Sequence, residues 1–322
     1  MKVLTILIFS GDDRLDVKYL LKDLASLNQS NTDIRVVEWS ENKKNLLKKK
    51  NIYHGFRNKI KNFKVYYHKG NWEYKYSKFV NKFNSKYILL IGDDDRINVK
   101  NFRKIYKYLD YNFSGITLSF INYNKKKDLK IKQDKTLDQI RSFNLEKDFN
   151  RIGFTSCQIM NVKFVKKIFK TEKKYLLKTK FPQNFVTTKL IKKYGNWQVL
   201  ELPCIFNCLR SFDNIWIRKN LLIRLKSEYL GYFIPIKKYF SNLSSEKVSK
   251  IYTYIFLKNI ISWLFLSIKH FGKTQTFKNI KKERQILNEP LLVKLILIFI
   301  YLCPFFLLDI LRIFRRKFLL KL

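Results

Sequence analysis

The chain has 322 residues and a mass of 39.1 kDa, and its 46% hydrophobic and 16% aromatic content can fill a sizeable core, which excludes disorder over most of its length. Nine Gly and five Pro exclude a collagen-like or low-complexity chain; four Cys without a CxxC pair and three scattered His exclude a disulfide scaffold and give no zinc-site spacing. The 66 Lys and Arg against 25 Asp and Glu give +41, a charge drawn to phosphate in nucleic acid, nucleotides or an anionic membrane. Lys outnumbers Arg 52 to 14 and Ala occurs once, at Ala25, a bias that A/T-rich codons produce equally well. The thiols are expected to be reduced and cytosolic.

Residues 3–9 form a short apolar run. Ser10-Gly11-Asp12-Asp13-Arg14 follows, where a secretory cleavage site would need small residues, so a buried strand is expected and no signal peptide. Leu15, Tyr19, Leu20, Leu24 and Leu27 recur at helical spacing, with Asp12 or Asp13 placed to cap the start. Residues 34–38 predict a second strand, which closes one β-α-β unit, and a basic, irregular stretch follows. Residues 63–67 predict a strand, residues 72–83 a helix, and residues 87–91 the most apolar strand, which runs straight into Gly92-Asp93-Asp94-Asp95. Next come a helix over 101–109, a strand over 115–123 and a Lys- and Asp-rich surface loop over 124–138. Regular pattern returns at 153–160, with helices near 162–169 and 185–194 and a strand near 197–202. This alternation predicts an α/β domain over residues 1–210, a doubly wound, mostly parallel sheet flanked by helices.

Composition shifts after residue 210. Residues 251–270 carry only Lys258 and Lys269 as charges, residues 290–308 only Lys294, and Arg312, Arg315, Arg316 and Lys317 follow. Residues 211–322 are therefore expected to be a helical, membrane-associated region. Nineteen residues nearly span a bilayer, but Lys294 and Pro304 weigh against a span. An in-plane helix with its basic residues in the headgroups fits as well, and a helix pair packed on the core is the plainer alternative.

Three consecutive carboxylates at the end of a buried strand repel one another and resist burial. In an open α/β sheet the crevice at the carboxyl ends of the strands takes ligands. A divalent ion bridging carboxylates to a diphosphate relieves the repulsion, since Mg²⁺ is held by one or two carboxylates together with substrate phosphates. A solvated Asp-rich turn capping the next helix is the plainer alternative.

With its opening strand at residues 3–10 and Arg14 in the loop, Val36-Val37-Glu38-Trp39-Ser40 ending the second strand, and residues 86–95 carrying a DxD motif, the sequence resembles family 2 glycosyltransferases of the GT-A fold over residues 3–205. Residues 153–160 and Phe181-Pro182-Gln183 resemble the acceptor side of bacterial surface-polysaccharide members. The resemblance implies a metal-dependent, inverting sugar transferase using Mn²⁺ or Mg²⁺. Glu38 would hold base or ribose, Asp93 the ribose or the metal, and Asp95 the metal directly, with Asp94 between them on the nucleotide. Ser10 would lie against the nucleotide, and Lys75 or Lys78 would meet the pyrophosphate, a solvated helix face being the plainer reading of either lysine. The general base is unassigned: Gln183 and Asn184 stand where the family often has an acid, and Asp148 and Glu172, the nearest acidic candidates, read as surface charges. The implied partners are a nucleotide-sugar donor, a glycan or lipid-linked glycan acceptor of O-antigen or capsule type, and an anionic membrane at the cytoplasmic face of the inner membrane. Two alternatives stay open: a basic nucleic-acid-binding protein, which makes no use of the carboxylates, and a GT-A fold with nucleotidyl transfer or no activity.

Overall fold

The computed structural model describes residues 2–11, 15–27, 30–68, 76, 78–123, 140–176, 182–208, 215–287, 289–304, 307–308 and 310. Two compact units emerge, one of Met1–Phe143, Phe154–Leu177 and Lys189–Arg210, the other of Asn144–Gly153, Lys178–Thr188 and Ser211–Leu322.

The first unit is built on a nine-stranded sheet. Its strands are β1 (Leu4–Ser10), β2 (Thr32–Glu38), β3 (Phe63–Tyr67), β4 (Tyr87–Gly92), β5 (Arg96–Ile97), β6 (Gly115–Tyr123), β7 (Ile140–Ser142), β8 (Gln158–Asn161) and β9 (Trp197–Cys208). They run in the order β3-β2-β1-β4-β8-β6-β9-β5, with β7 also paired to β9. The β3-β2-β1-β4 half is parallel, whereas β8 runs antiparallel to both β4 and β6. Covered on both faces, a parallel strand reads as an unbroken apolar run; all seven residues of β1 are buried.

Helices α1 (Val17–Leu27), α2 (Lys43–Phe56), α3 (Val99–Arg103), α4 (Tyr106–Leu109) and α6 (Val162–Leu176) belong to this unit, and α7 (Pro182–Tyr194) has its last turns here. In α1 the core face is Val17, Leu20, Leu21, Leu24 and Leu27, while Tyr19, expected among the apolar contacts, is 45% exposed. The stretch after β2 is not irregular: Asn42 accepts from the backbone N–H of Lys44 (2.9 Å) and Asn45 (3.2 Å) and starts the fourteen-residue α2. The helix expected over 101–109 divides into α3 and α4, the strand over 197–202 continues to Cys208, and residues 153–160 hold one 3₁₀ turn, Thr155–Cys157, just after another that ends at Gly153, ahead of β8. The capping residues Asp12 and Asp13, residues 72–75 and 77 of the helix expected over 72–83, and the loop over 124–138 lie outside the described residues; residues 76 and 78–80 are helical.

The second unit is helical: α5 (Leu145–Asp148), the first turns of α7, α8 (Ile215–Tyr239), α9 (Ser245–Ile255), α10 (Ile261–Leu287) and α11 (Leu291–Leu302). A π turn, Phe256–Ile260, joins α9 to α10, and Gly272 breaks α10 with a φ of 76° that suits only a residue without Cβ. Phe233 stacks on Tyr252 at 4.3 Å between ring centroids. Among the described residues no single helix is long and apolar enough to cross a membrane; Ser245–Lys258 and Ile261–Lys281 reach that composition only as a pair bent by 47°. Ile251, Ile255, Phe256, Leu264 and Ile268 of that pair are already buried within the protein.

Candidate active site

Strand order reverses between β1 and β4: from β1 the chain builds outward through β2 and β3, then returns to lay β4 on the other side. Such a switch point opens a crevice at the carboxyl ends of the strands. Register places the candidate residues along that rim, since Ser10 pairs with Glu38 and Phe9 with Gly92. The acidic triplet follows immediately.

At the β1–β2 side a buried polar cluster forms around Glu38. Its Oε1 accepts the backbone N–H of Ser40 at 2.8 Å, and its Oε2 accepts the Tyr53 hydroxyl. Lys49, fully buried, sits 3.4 Å from the same carboxylate and donates to Ser10 Oγ (3.0 Å), Ser40 Oγ (3.1 Å) and the Gly11 carbonyl (3.3 Å). Helix α2 supplies both Lys49 and Tyr53, one turn apart, so each faces the rim. Burial, followed by the Glu38 carboxylate, pushes the Tyr53 phenol far above its ordinary range, and Asp93 adds to the push. Tyr53 is therefore a fixed donor. Neither α2 residue was among the sequence candidates; Ser10 and Glu38 were, and the structure brings them together.

The triplet is buried, not solvated: Asp93, Asp94 and Asp95 are 5%, 6% and 6% exposed. They form the turn that leaves β4, closed by the Asp95 N–H on the Gly92 carbonyl at 3.3 Å. Ser156, from the 3₁₀ turn Thr155–Cys157, braces it by accepting the Gly92 N–H (2.9 Å) and donating to Asp95 Oδ2. A Cβ on Gly92 would meet Asp94 Oδ1 at 3.0 Å and Asp95 Oδ2 at 3.2 Å, so the bare glycine lets two carboxylate oxygens converge. Among the described residues no three His, Cys, Asp or Glu side chains form a ready-made metal cage. Two convergent carboxylate oxygens nonetheless fit a hard divalent ion that completes its shell with water and phosphate. Asp94, placed between the ligands by sequence, thus joins Asp95 over Gly92.

Other candidates fall elsewhere. Lys75 lies outside the described residues. Lys78 donates to His68 Nε2 at 2.9 Å. Glu172 is held by Lys189. Asp148 is not a surface charge: it is 1% exposed, accepts the Asn144 N–H at 2.8 Å as part of a helix cap and lies 3.8 Å from Arg151. Gln183 and Asn184 are buried in the second unit, and neither side-chain amide atom of Asn184 has a hydrogen-bond partner among the described residues. A cavity of about 670 Å³ lies within the second unit, lined by residues including Phe240, Val248, Tyr252 and Leu291; it contains none of the rim residues and one carboxylate, Glu246.

No protein-family model and no curated protein matches the sequence. Solved structures do match. TarS 1-349 from S. aureus superposes with a TM-score of 0.54 at 13% identity, over 88% of this chain and 77% of that one. The same fragment in complex with UDP-GlcNAc gives 0.55 at 15% identity, over 88% and 78%. Mannosyltransferase PcManGT from Pyrobaculum calidifontis, in complex with GDP-Man and Mn²⁺, gives 0.52 at 6% identity, over 83% and 75%. Likeness at such low identity speaks for architecture, and it agrees with the strand order and the switch point: the chain has the GT-A glycosyltransferase fold.

Proposed function

We propose that the protein is a glycosyltransferase that moves a sugar from a nucleotide-sugar donor to a cell-envelope glycan, lipid-linked, with inversion at the anomeric carbon and with Mn²⁺ or Mg²⁺ bound. The observation that carries this reading is the buried Asp93–Asp95 turn at the switch-point rim. The solved neighbours with UDP-GlcNAc or GDP-Man support a nucleotide-sugar donor, and the Mn²⁺ in one of them supports the metal.

Asp95, with Asp93 or the convergent Asp94, would hold the ion, whose chemistry when bound is to neutralise charge on the departing diphosphate. The chain's own residues bind and orient. Lys49 and Tyr53 hold Glu38 and Ser10 rigidly at the carboxyl ends of β1 and β2, which fixes the wall on which the nucleoside rests. Ser156 fixes the Asp95 carboxylate by donating to Oδ2, one of the two oxygens that converge over Gly92. Asn184 and Gln183 are amides and take up no proton at neutral pH, so neither serves as base.

Calorimetric titration with a panel of uridine and guanosine diphosphate sugars in Mn²⁺ tests the reading. Asp95→Asn is expected to lose metal-dependent binding by about a hundredfold or more, with an unchanged circular-dichroism spectrum. Unchanged affinity in that variant would overturn the assignment. Product analysis separates the chemistries, because nucleoside diphosphate release marks glycosyl transfer and pyrophosphate release marks nucleotidyl transfer.

A further inference from the structure

Helix α11 has two faces that differ in what covers them. Val293, Leu297 and Ile300 are buried, and Lys273 of α10 fastens the helix by donating to the Tyr301 carbonyl at 2.8 Å and to the Cys303 carbonyl. Phe277 of α10 packs edge-on against Tyr301 at 5.2 Å. The opposite face is bare: Leu291 is 72% exposed, Leu302 73%, and Leu292, Leu295, Ile298 and Phe299 are each more than half exposed. At 100° per residue these six positions fall on one side of the helix, directly opposite the buried three. Because the buried face is anchored, the helix cannot roll to hide the other one. Apolar surface gathered in this way marks a site of association.

We propose that α11 docks flat on an anionic lipid bilayer, with this face entering the boundary between headgroups and acyl chains. Length excludes a span by the helix: twelve residues rise about 18 Å, against a hydrocarbon core of about 30 Å. Charge selects the occupant. Residues 215–322 contain 21 Lys and Arg against five Asp and Glu, and Arg312, Arg315, Arg316 and Lys317 follow the helix closely in sequence. A second copy of this chain would bring two such basic regions together, whereas anionic headgroups neutralise them. Lys294, half-buried on the flank of the bare face, has the reach to place its ammonium among the headgroups. No residue of the acidic rim takes part in this docking, which is independent of the transferase reading.

The test is flotation of the full chain with lipid vesicles. Wild type is expected to float with vesicles containing about a quarter phosphatidylglycerol and to bind pure phosphatidylcholine about tenfold less at physiological salt. The double variant Leu295→Glu/Phe299→Glu, which touches only exposed positions, is expected to lose about tenfold or more of the bound fraction. Phe299→Trp provides a readout that needs no loss of stability: the fluorescence it adds should shift to the blue and be quenched by brominated lipid. Equal flotation of wild type and the double variant, or a fluorescence signal from Phe299→Trp that is indifferent to vesicles, would overturn the proposal. So would light scattering in which the double variant turns a dimer into a monomer while flotation is unchanged. Donor binding at the acidic rim, measured calorimetrically without lipid, is expected to be equal in wild type and the double variant.

Discussion

Lys49 is one of 52 lysines and, among the described residues, the one that is fully buried beside Glu38. Nothing in the run Lys48-Lys49-Lys50 sets it apart by composition; what singles it out is its position on the core face of α2, one turn before Tyr53. Glu38 was legible in the sequence through the family resemblance at the end of the second strand. Its partners were not, because a lysine on the inward face erases the apolar periodicity that would have announced the helix. A buried ion pair is costly to desolvate, and removing one member leaves the other uncompensated. Lys49→Met should therefore destabilise the protein by about 3–5 kcal/mol. Adding Glu38→Gln to that variant should restore part of the loss, because the carboxylate no longer needs a cation. Denaturant unfolding of the two variants checks this, and a double variant no more stable than Lys49→Met would show that the two residues do not act as a pair.

At the scale of elements, long buried strands were readable and short or interrupted pieces were not. β1 and β4 announce themselves as apolar runs because parallel strands are covered on both faces. β5 has two residues and β7 three, too few to show any period, and both exist because β9 offers them an edge. β5 matters because it begins directly after Asp95. Asp23 of α1 clamps it, accepting from Arg96 Nε at 2.8 Å and from the Ile97 N–H at 3.1 Å. This carboxylate was hidden in the sequence among the polar positions of an amphipathic helix. Asp23→Ala removes three hydrogen bonds, two of them to a guanidinium, and should cost about 2–4 kcal/mol. Native-state hydrogen exchange localises the effect: the Ile97 amide loses its acceptor and should exchange faster, whereas amides in the middle of β1 should follow global stability alone. Equal acceleration of the Ile97 and β1 amides would show that the clamp contributes nothing local.

At the scale of the whole molecule, the sequence stated the charge at once but not its meaning. A surplus of +41 on 322 residues attracts any polyanion, so binding to RNA with a steep salt dependence would by itself say little about function. The informative contrast is between the global field and the acidic turn, where three carboxylates stand together. The three carboxylates are buried at a rim of the sheet, so the proposed nucleotide-sugar donor would be drawn in by the field of the whole chain but held, through a cation, at that turn. Field and site should separate kinetically. Raising NaCl from about 50 mM to about 500 mM shortens the Debye length from about 14 Å to about 4 Å, and the association rate of the dianionic donor should fall by about tenfold. The same screening relieves repulsion among the basic side chains, so the thermal midpoint should rise while association slows. Stopped-flow binding beside thermal unfolding measures both. A fall in midpoint with salt would mean that specific ion pairs, such as Arg96 with Asp23, outweigh the net repulsion in holding the fold.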